Sequence, residues 1–127
     1  APVILTPHPG EMARLCGVTA REIESDRVKY ARDFAKKYGC ILVLKGANTV
    51  VAAPDGKIAF NTTGNPGMST GGSGDVLAGI TVSLLAQGLE PLAASKAAVY
   101  LHGEAGDKAA KKRGERAMLP TDLTEEL

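Results

Sequence analysis

Asp75 stands where this sequence is best arranged for chemistry. The small-residue run Ser69-Thr70-Gly71-Gly72-Ser73-Gly74 leads directly into it, and an apolar segment, residues 76–86, follows. Glycines lack a Cβ, so successive backbone N–H groups can crowd inward, and the start of a helix adds a partial positive charge at the same place. The amides of Gly71, Gly72, Ser73 and Gly74 are therefore a candidate anion hole for a phosphate or a negatively charged transition state. Asp75 falls in the first helical turn beside it, where a carboxylate can take a proton from a reacting group. A glycine loop that only caps a helix is an equal reading of such a loop alone; the number of glycines ahead of an acid favours the chemical one. Two common phosphate loops are excluded. No Gly-Lys-Ser/Thr triplet follows a glycine loop, and Leu77 occupies the place of the third glycine in the dinucleotide fingerprint that Gly72-Ser73-Gly74 would begin.

Two further places carry polar groups at the ends of predicted strands. Pro2-Val3-Ile4-Leu5 is an apolar run that reads as a buried strand, and Thr6-Pro7-His8-Pro9-Gly10-Glu11 turns the chain into a short helix reaching Leu15. A core strand at the first residues suggests chain removed upstream. Ligands of open α/β sheets gather outside the carboxyl ends of strands, which is where His8 falls, although an isolated histidine is more often structural. Cys40-Ile41-Leu42-Val43-Leu44 is apolar on both faces, as a parallel strand covered by helices on each side would be. After it comes Lys45-Gly46-Ala47-Asn48-Thr49, which reads equally as a polar turn or as a set of donors for phosphate or ribose oxygens.

The elements that must position these groups are legible at their ends. Thr19-x-x-Glu22 is a capping box opening one helix over residues 19–38, with Ile23, Tyr30, Phe34 and Tyr38 at helical spacing and Gly39 ending it. Pro54-Asp55-Gly56 predicts a hairpin turn between strands 50–53 and 57–60. The helix after Asp75 is apolar around nearly its whole circumference and should be central and buried. Pro91 opens another helix running through Ala109, with His102 and Glu104 as structural or surface residues and Lys111-Lys112-Arg113 suited to its C-terminus. A last helix begins near Thr121. Strands alternating with helices give an α/β layered domain.

Bulk properties narrow the partners. The chain has 127 residues, 15 basic against 14 acidic side chains, and no Trp. One domain or a piece of one fits this length. Scattered charge near neutrality and few aromatics give no reason to propose nucleic-acid or membrane partners. Cys16 and Cys40 have no metal-type spacing, and without a signal segment they are most simply reduced and cytoplasmic.

Gly71-Gly72-Ser73-Gly74-Asp75 resembles the Gly-x-Gly-Asp signature of the ribokinase-like superfamily. Gly64-Asn65-Pro66-Gly67-Met68-Ser69-Thr70, together with Thr6-Pro7-His8-Pro9-Gly10-Glu11-Met12-Ala13-Arg14-Leu15 and Lys45-Gly46-Ala47-Asn48-Thr49-Val50, narrows the resemblance to the ADP- or ATP-dependent NAD(P)H-hydrate dehydratases. The resemblance implies a ribokinase-like αβα sandwich, of which residues 1–127 are the C-terminal half of a single domain. It implies repair of hydrated NADH or NADPH by phosphorylation of the added hydroxyl and loss of phosphate. Asp75 would be the base and a substrate contact, His8 a second substrate contact, and Lys45, Gly46, Ala47, Asn48, Thr49 and Gly74 the nucleotide site. Mg²⁺ would accompany ADP or ATP without a dedicated cage in this stretch. A homo-oligomer, or association with the missing N-terminal half, would complete the surface. A ribokinase-like kinase of a vitamin precursor or sugar shares the same acid, and a non-catalytic nucleotide-binding fragment is the alternative from another class.

Overall fold

Strand β2, Ile41–Leu44, is apolar at every position and buried at every position, and the first half of the chain is built around it. The computed structural model describes residues 2–65, 68, 72–114 and 119–127, in two units, Ala1–Asn61 and Thr62–Leu127. The first unit contains β1 (Ile4–Leu5), α1 (Pro9–Cys16), α2 (Ala20–Ser25), α3 (Arg27–Tyr38), β2, β3 (Thr49–Ala52) and β4 (Ile58–Asn61). The sheet order is β1-β2-β3-β4. β1 runs parallel to β2 with Ile4 opposite Ile41, while β2, β3 and β4 are successively antiparallel.

Period-two alternation puts Leu42 and Leu44 on one face of β2, opposite Ala52 and Val50 of β3. That face packs with Met12, Ala13, Ile23, Ala31 and Ala35 from α1, α2 and α3 into one core. Burying each large aliphatic side chain in it contributes roughly 1.5–3 kcal/mol. The intervening Ile41 and Val43 are buried as well, as an all-apolar strand requires. The hairpin forms at the expected place. Gly56 N–H donates to the Ala53 carbonyl at 3.0 Å, Asp55 Oδ1 accepts from Lys57 N at 2.9 Å, and Gly56 takes the left-handed conformation at φ 92°.

Three sequence expectations need correction. The first strand is only two residues long and half-buried, with Val3 52% exposed; among the described strands it has β2 on one edge alone. The helix expected over residues 19–38 is two helices. Asp26 breaks it at φ −156°, ψ 67°, and its carboxylate accepts from Lys29 N at 3.3 Å to start α3. Aspartate competes for backbone donors and so favours caps over helix interiors. Tyr38 then ends up exposed on α3, with its ring 4.5 Å from that of Phe34.

The third correction concerns the second unit, made of α4 (Ser73–Ala86), α5 (Pro91–Arg113) and α6 (Pro120–Glu125). Expected to be buried all round, α4 buries only Ser73, Leu77 and Thr81, and Val82 is 64% exposed. These three positions are spaced by four, so they form one stripe along the helix. The basic end of α5 does more than meet the helix dipole. Arg113 bonds Asp122 and Glu125 at 2.7 Å each, and Lys112 pairs with Glu126 at 2.6 Å, tying α6 to α5. No helix among the described residues is long and apolar enough to cross a membrane.

Candidate active site

In the first unit, parallel pairing of β1 and β2 sets their carboxyl ends side by side. Lys45 N–H donates to the Pro7 carbonyl at 3.0 Å, so His8 and residues 45–49 begin from adjacent strand ends. His8 is the N-cap of α1. Its Nδ1 accepts from Glu11 N at 3.2 Å and its Nε2 lies 2.9 Å from Glu11 Oε1. An Nδ1 that accepts a backbone N–H leaves the proton on Nε2, which donates to the carboxylate. The ring therefore has a capping role, with half its surface still exposed.

Residues 45–49 form a turn with two unusual backbones. Gly46 sits at φ 145° and Asn48 at φ 54°, a left-handed position that asparagine adopts more readily than most side chains. Thr49 Oγ1 donates to the Gly46 carbonyl at 3.1 Å and closes the turn. Gly46, Ala47 and Asn48 are exposed, and Lys45 and Thr49 are half-buried.

In the second unit, Gly72 is the N-cap of α4 at φ 94°, and no side chain caps the helix. Asp75 and Val76 amides both turn back to the Gly72 carbonyl, at 3.1 and 3.2 Å, which leaves Ser73 and Gly74 amides as the outward donors of the first turn. Asp75 is exposed in that turn. The Ser73 side chain points elsewhere: its hydroxyl lies 3.2 Å from His102 Nε2, which also donates to the Ser73 carbonyl at 3.0 Å. Gly71, Pro66, Gly67, Ser69 and Thr70, on which part of the anion-hole expectation rests, lie outside the described residues. An open cleft of about 620 Å³ adjoins this unit's helices, lined by Val76, Ile80, Leu84, Leu101, Lys108 and Leu127 among others; Asp75 does not line it.

Sequence reasoning missed the part of α5 that holds the approach to α4. Asp107 accepts from Gly64 N at 3.0 Å and from Asn65 Nδ2 at 3.1 Å. Thr63 covers Gly103 and donates from its hydroxyl to the Tyr100 carbonyl at 3.1 Å, and the Met68 side chain covers Gly106. Two glycines inside a long helix, each costing stability relative to alanine, were the available signal that something packs closely there. Asp107→Asn is expected to cost about 2 kcal/mol, because an amide cannot accept from both donors through two oxygens. A urea midpoint unchanged from wild type would show that these bonds contribute nothing.

Burial pushes the Cys16 and Cys40 thiols above their ordinary pKa, opposed at Cys16 by Lys37 and at Cys40 by a backbone hydrogen bond. Both are thus protonated at neutral pH and poor nucleophiles. Among the described residues no cluster of three or more His, Cys, Asp or Glu side chains is suited to hold a metal ion.

The family model described as NAD(P)H-hydrate dehydratase (Carb_kinase) matches residues 1–127. The chain belongs to this family. It is 57% identical over 122 residues to the bifunctional NAD(P)H-hydrate repair enzyme Nnr of Moorella thermoacetica, covering 96% of this chain and 23% of that protein. It superposes with a TM-score of 0.95 and 39% identity on the ADP/ATP-dependent NAD(P)H-hydrate dehydratase of Bacillus subtilis, co-crystallised with ATP/Mg²⁺, covering 98% of this chain and 45% of that one. A ribokinase-like superfamily protein from Enterococcus faecalis matches with a TM-score of 0.83 and 38% identity, over 97% of this chain and 41% of its own. The fold of this dehydratase-family chain is ribokinase-like α/β, and the chain spans less than half the length of each of these relatives.

Proposed function

We propose that the chain is the C-terminal portion, residues 1–127, of a single ribokinase-like domain that dehydrates hydrated NADH or NADPH with ADP or ATP. The observation that carries this reading is the start of α4, where an exposed acid stands beside first-turn amides that no side chain caps. Asp75 removes the proton from the substrate hydroxyl as its oxygen bonds to the terminal phosphorus, and the bond from that phosphorus to the nucleotide oxygen breaks. Loss of phosphate from carbon, with a proton leaving the neighbouring position, restores the double bond. The amides of Gly71, Gly72, Ser73 and Gly74 stabilise the migrating group, since phosphoryl transfer depends chiefly on positioning and electrostatics.

Lys45, Gly46, Ala47, Asn48 and Thr49 are assigned to the nucleotide, a role suited by their place at a strand's carboxyl end. Gly74 is assigned a nucleotide contact of its own through its amide. His8 is assigned to the substrate through the exposed part of its ring. Mg²⁺ would be held chiefly by nucleotide phosphates and water, which is its usual manner, and supplies charge neutralisation there. We place the protein in the cytoplasm, with residues 1–127 completed by a homo-oligomer or by association with the N-terminal half.

Two measurements test this reading. The full-length protein should return reduced-nicotinamide absorbance from hydrated NADH only when ADP or ATP is present, with release of phosphate. A stable phosphorylated product instead would favour a small-molecule kinase. A crystal with sulfate or nucleotide should place an anion oxygen about 2.9 Å from the Ser73 or Gly74 amide. Nucleotide phosphates bound well away from these amides would sink the anion-hole assignment.

A further inference from the structure

Arg27 opens α3, yet its guanidinium reaches to the end of β2 and is largely buried there, with 14% of the side chain exposed. Its Nη2 donates to the Leu44 carbonyl at 3.1 Å and to the Lys45 carbonyl at 3.3 Å, and its Nη1 donates to the Lys45 carbonyl at 3.3 Å. Glu24 Oε1 pairs with Nη1 at 2.9 Å and holds the fork in place. A cation at the first residue of a helix faces the positive end of the dipole, so helix stability alone does not favour arginine here. The carbonyls it reaches are those of the last residue of β2 and the first residue of the turn assigned to nucleotide.

Peptide geometry gives these bonds a consequence. In a trans peptide the C=O and the following N–H point in opposite directions. The Leu44–Lys45 peptide is held at both ends, its carbonyl on Arg27 and its N–H on the Pro7 carbonyl. The next peptide has its carbonyl on Arg27 too, so the Gly46 N–H is turned away from the guanidinium. Gly46 is suited to this at φ 145°, and a Cβ there would stand 2.8 Å from Arg27 Nη1. Only a residue without a side chain lets the fork come this close.

We propose that Arg27 is a positioning residue for the nucleotide: it fixes the Lys45–Gly46 peptide so that the Gly46 N–H is presented outward to a phosphate or ribose oxygen. This rests on the assignment of residues 45–49 to the nucleotide. A planar fork meets two successive carbonyls at once, which an ammonium group does not reproduce.

The test uses the full-length protein. A structure with bound ADP is expected to show a nucleotide oxygen about 3 Å from Gly46 N. Nucleotide held by Lys45, Asn48 or Thr49 with Gly46 N directed elsewhere overturns the role of Arg27 and keeps the segment assignment. Nucleotide that avoids residues 45–49 altogether overturns the segment assignment itself. For Arg27→Lys, the Kd for ADP and the KM for nucleotide should rise about tenfold, with kcat at saturating nucleotide within about threefold of wild type. Gly46→Ala, whose methyl group displaces the fork, should also raise the Kd for ADP about tenfold, and the Kd of the double variant should be little worse than that of either single one. An unchanged nucleotide Kd with a lowered Tm in Arg27→Lys would make the residue a structural tie and end the proposal.

Discussion

Asp75→Asn in the full-length protein is expected to lower turnover of hydrated NADH by about 10²–10⁴-fold, the usual contribution of a positioned general base. The amide keeps the shape of the carboxylate and loses its basicity. Nucleotide affinity should stay within about threefold of wild type, because the donors assigned to nucleotide lie in residues 45–49 and in the Gly74 backbone. Asp75 is exposed in the first turn of α4, and among the described residues no hydrogen bond or ion pair engages its carboxylate. The substitution therefore breaks no structural contact of that kind, and Tm should move little. Single-turnover kinetics with saturating ADP or ATP make the decisive comparison. Turnover within about threefold of wild type would remove Asp75 from the proton transfer.

Gly103→Val should produce the largest loss of stability, about 3 kcal/mol, from overpacking that neighbouring backbone cannot relieve. A Cβ at Gly103 would fall on Thr63, 2.6 Å from its carbonyl carbon and 2.7 Å from its own Cβ. Backbone on the receiving side distinguishes this site from one where a flexible side chain can swing away. Thr63 is also held from α5 by its hydroxyl bond to the Tyr100 carbonyl. The variant must therefore push the segment entering Gly64 and Asn65 off α5, loosening the two bonds to Asp107. Gly79→Ala in α4 is the matched comparison, since a Cβ there meets nothing within 4 Å and φ is ordinary. It should be neutral or stabilise by up to about 1 kcal/mol, as replacing a glycine inside a helix does. The denaturant midpoint should fall for Gly103→Val and hold or rise for Gly79→Ala. Equal shifts would mean that the close approach at Gly103 carries no energetic weight.

Much of what governs this protein over short range was legible in the residues. Helix starts at Thr19, Pro9 and Pro91, the left-handed stop at Gly39 and the Pro54-Asp55-Gly56 turn depend on a side chain or a φ preference acting within four residues, so each could be read without neighbours. The break at Asp26 belongs to this class too; the helical spacing of Ile23, Tyr30 and Phe34 masked a capping residue whose effect is local. The glycine run before Asp75 marked the candidate site, because few physical reasons place so many Cβ-less residues ahead of an acid. Tertiary structure decided what the sequence pattern left open. Periodicity measures how apolar a face is and carries no record of what covers it, so α4 read as buried all round and packs along one stripe. Asp107 meets Gly64 across 43 residues of chain, and Arg27 meets Leu44 across 17. Neither pairing has a spacing rule, because only the folded backbone brings a helical carboxylate to one loop's N–H groups and a guanidinium to another's carbonyls.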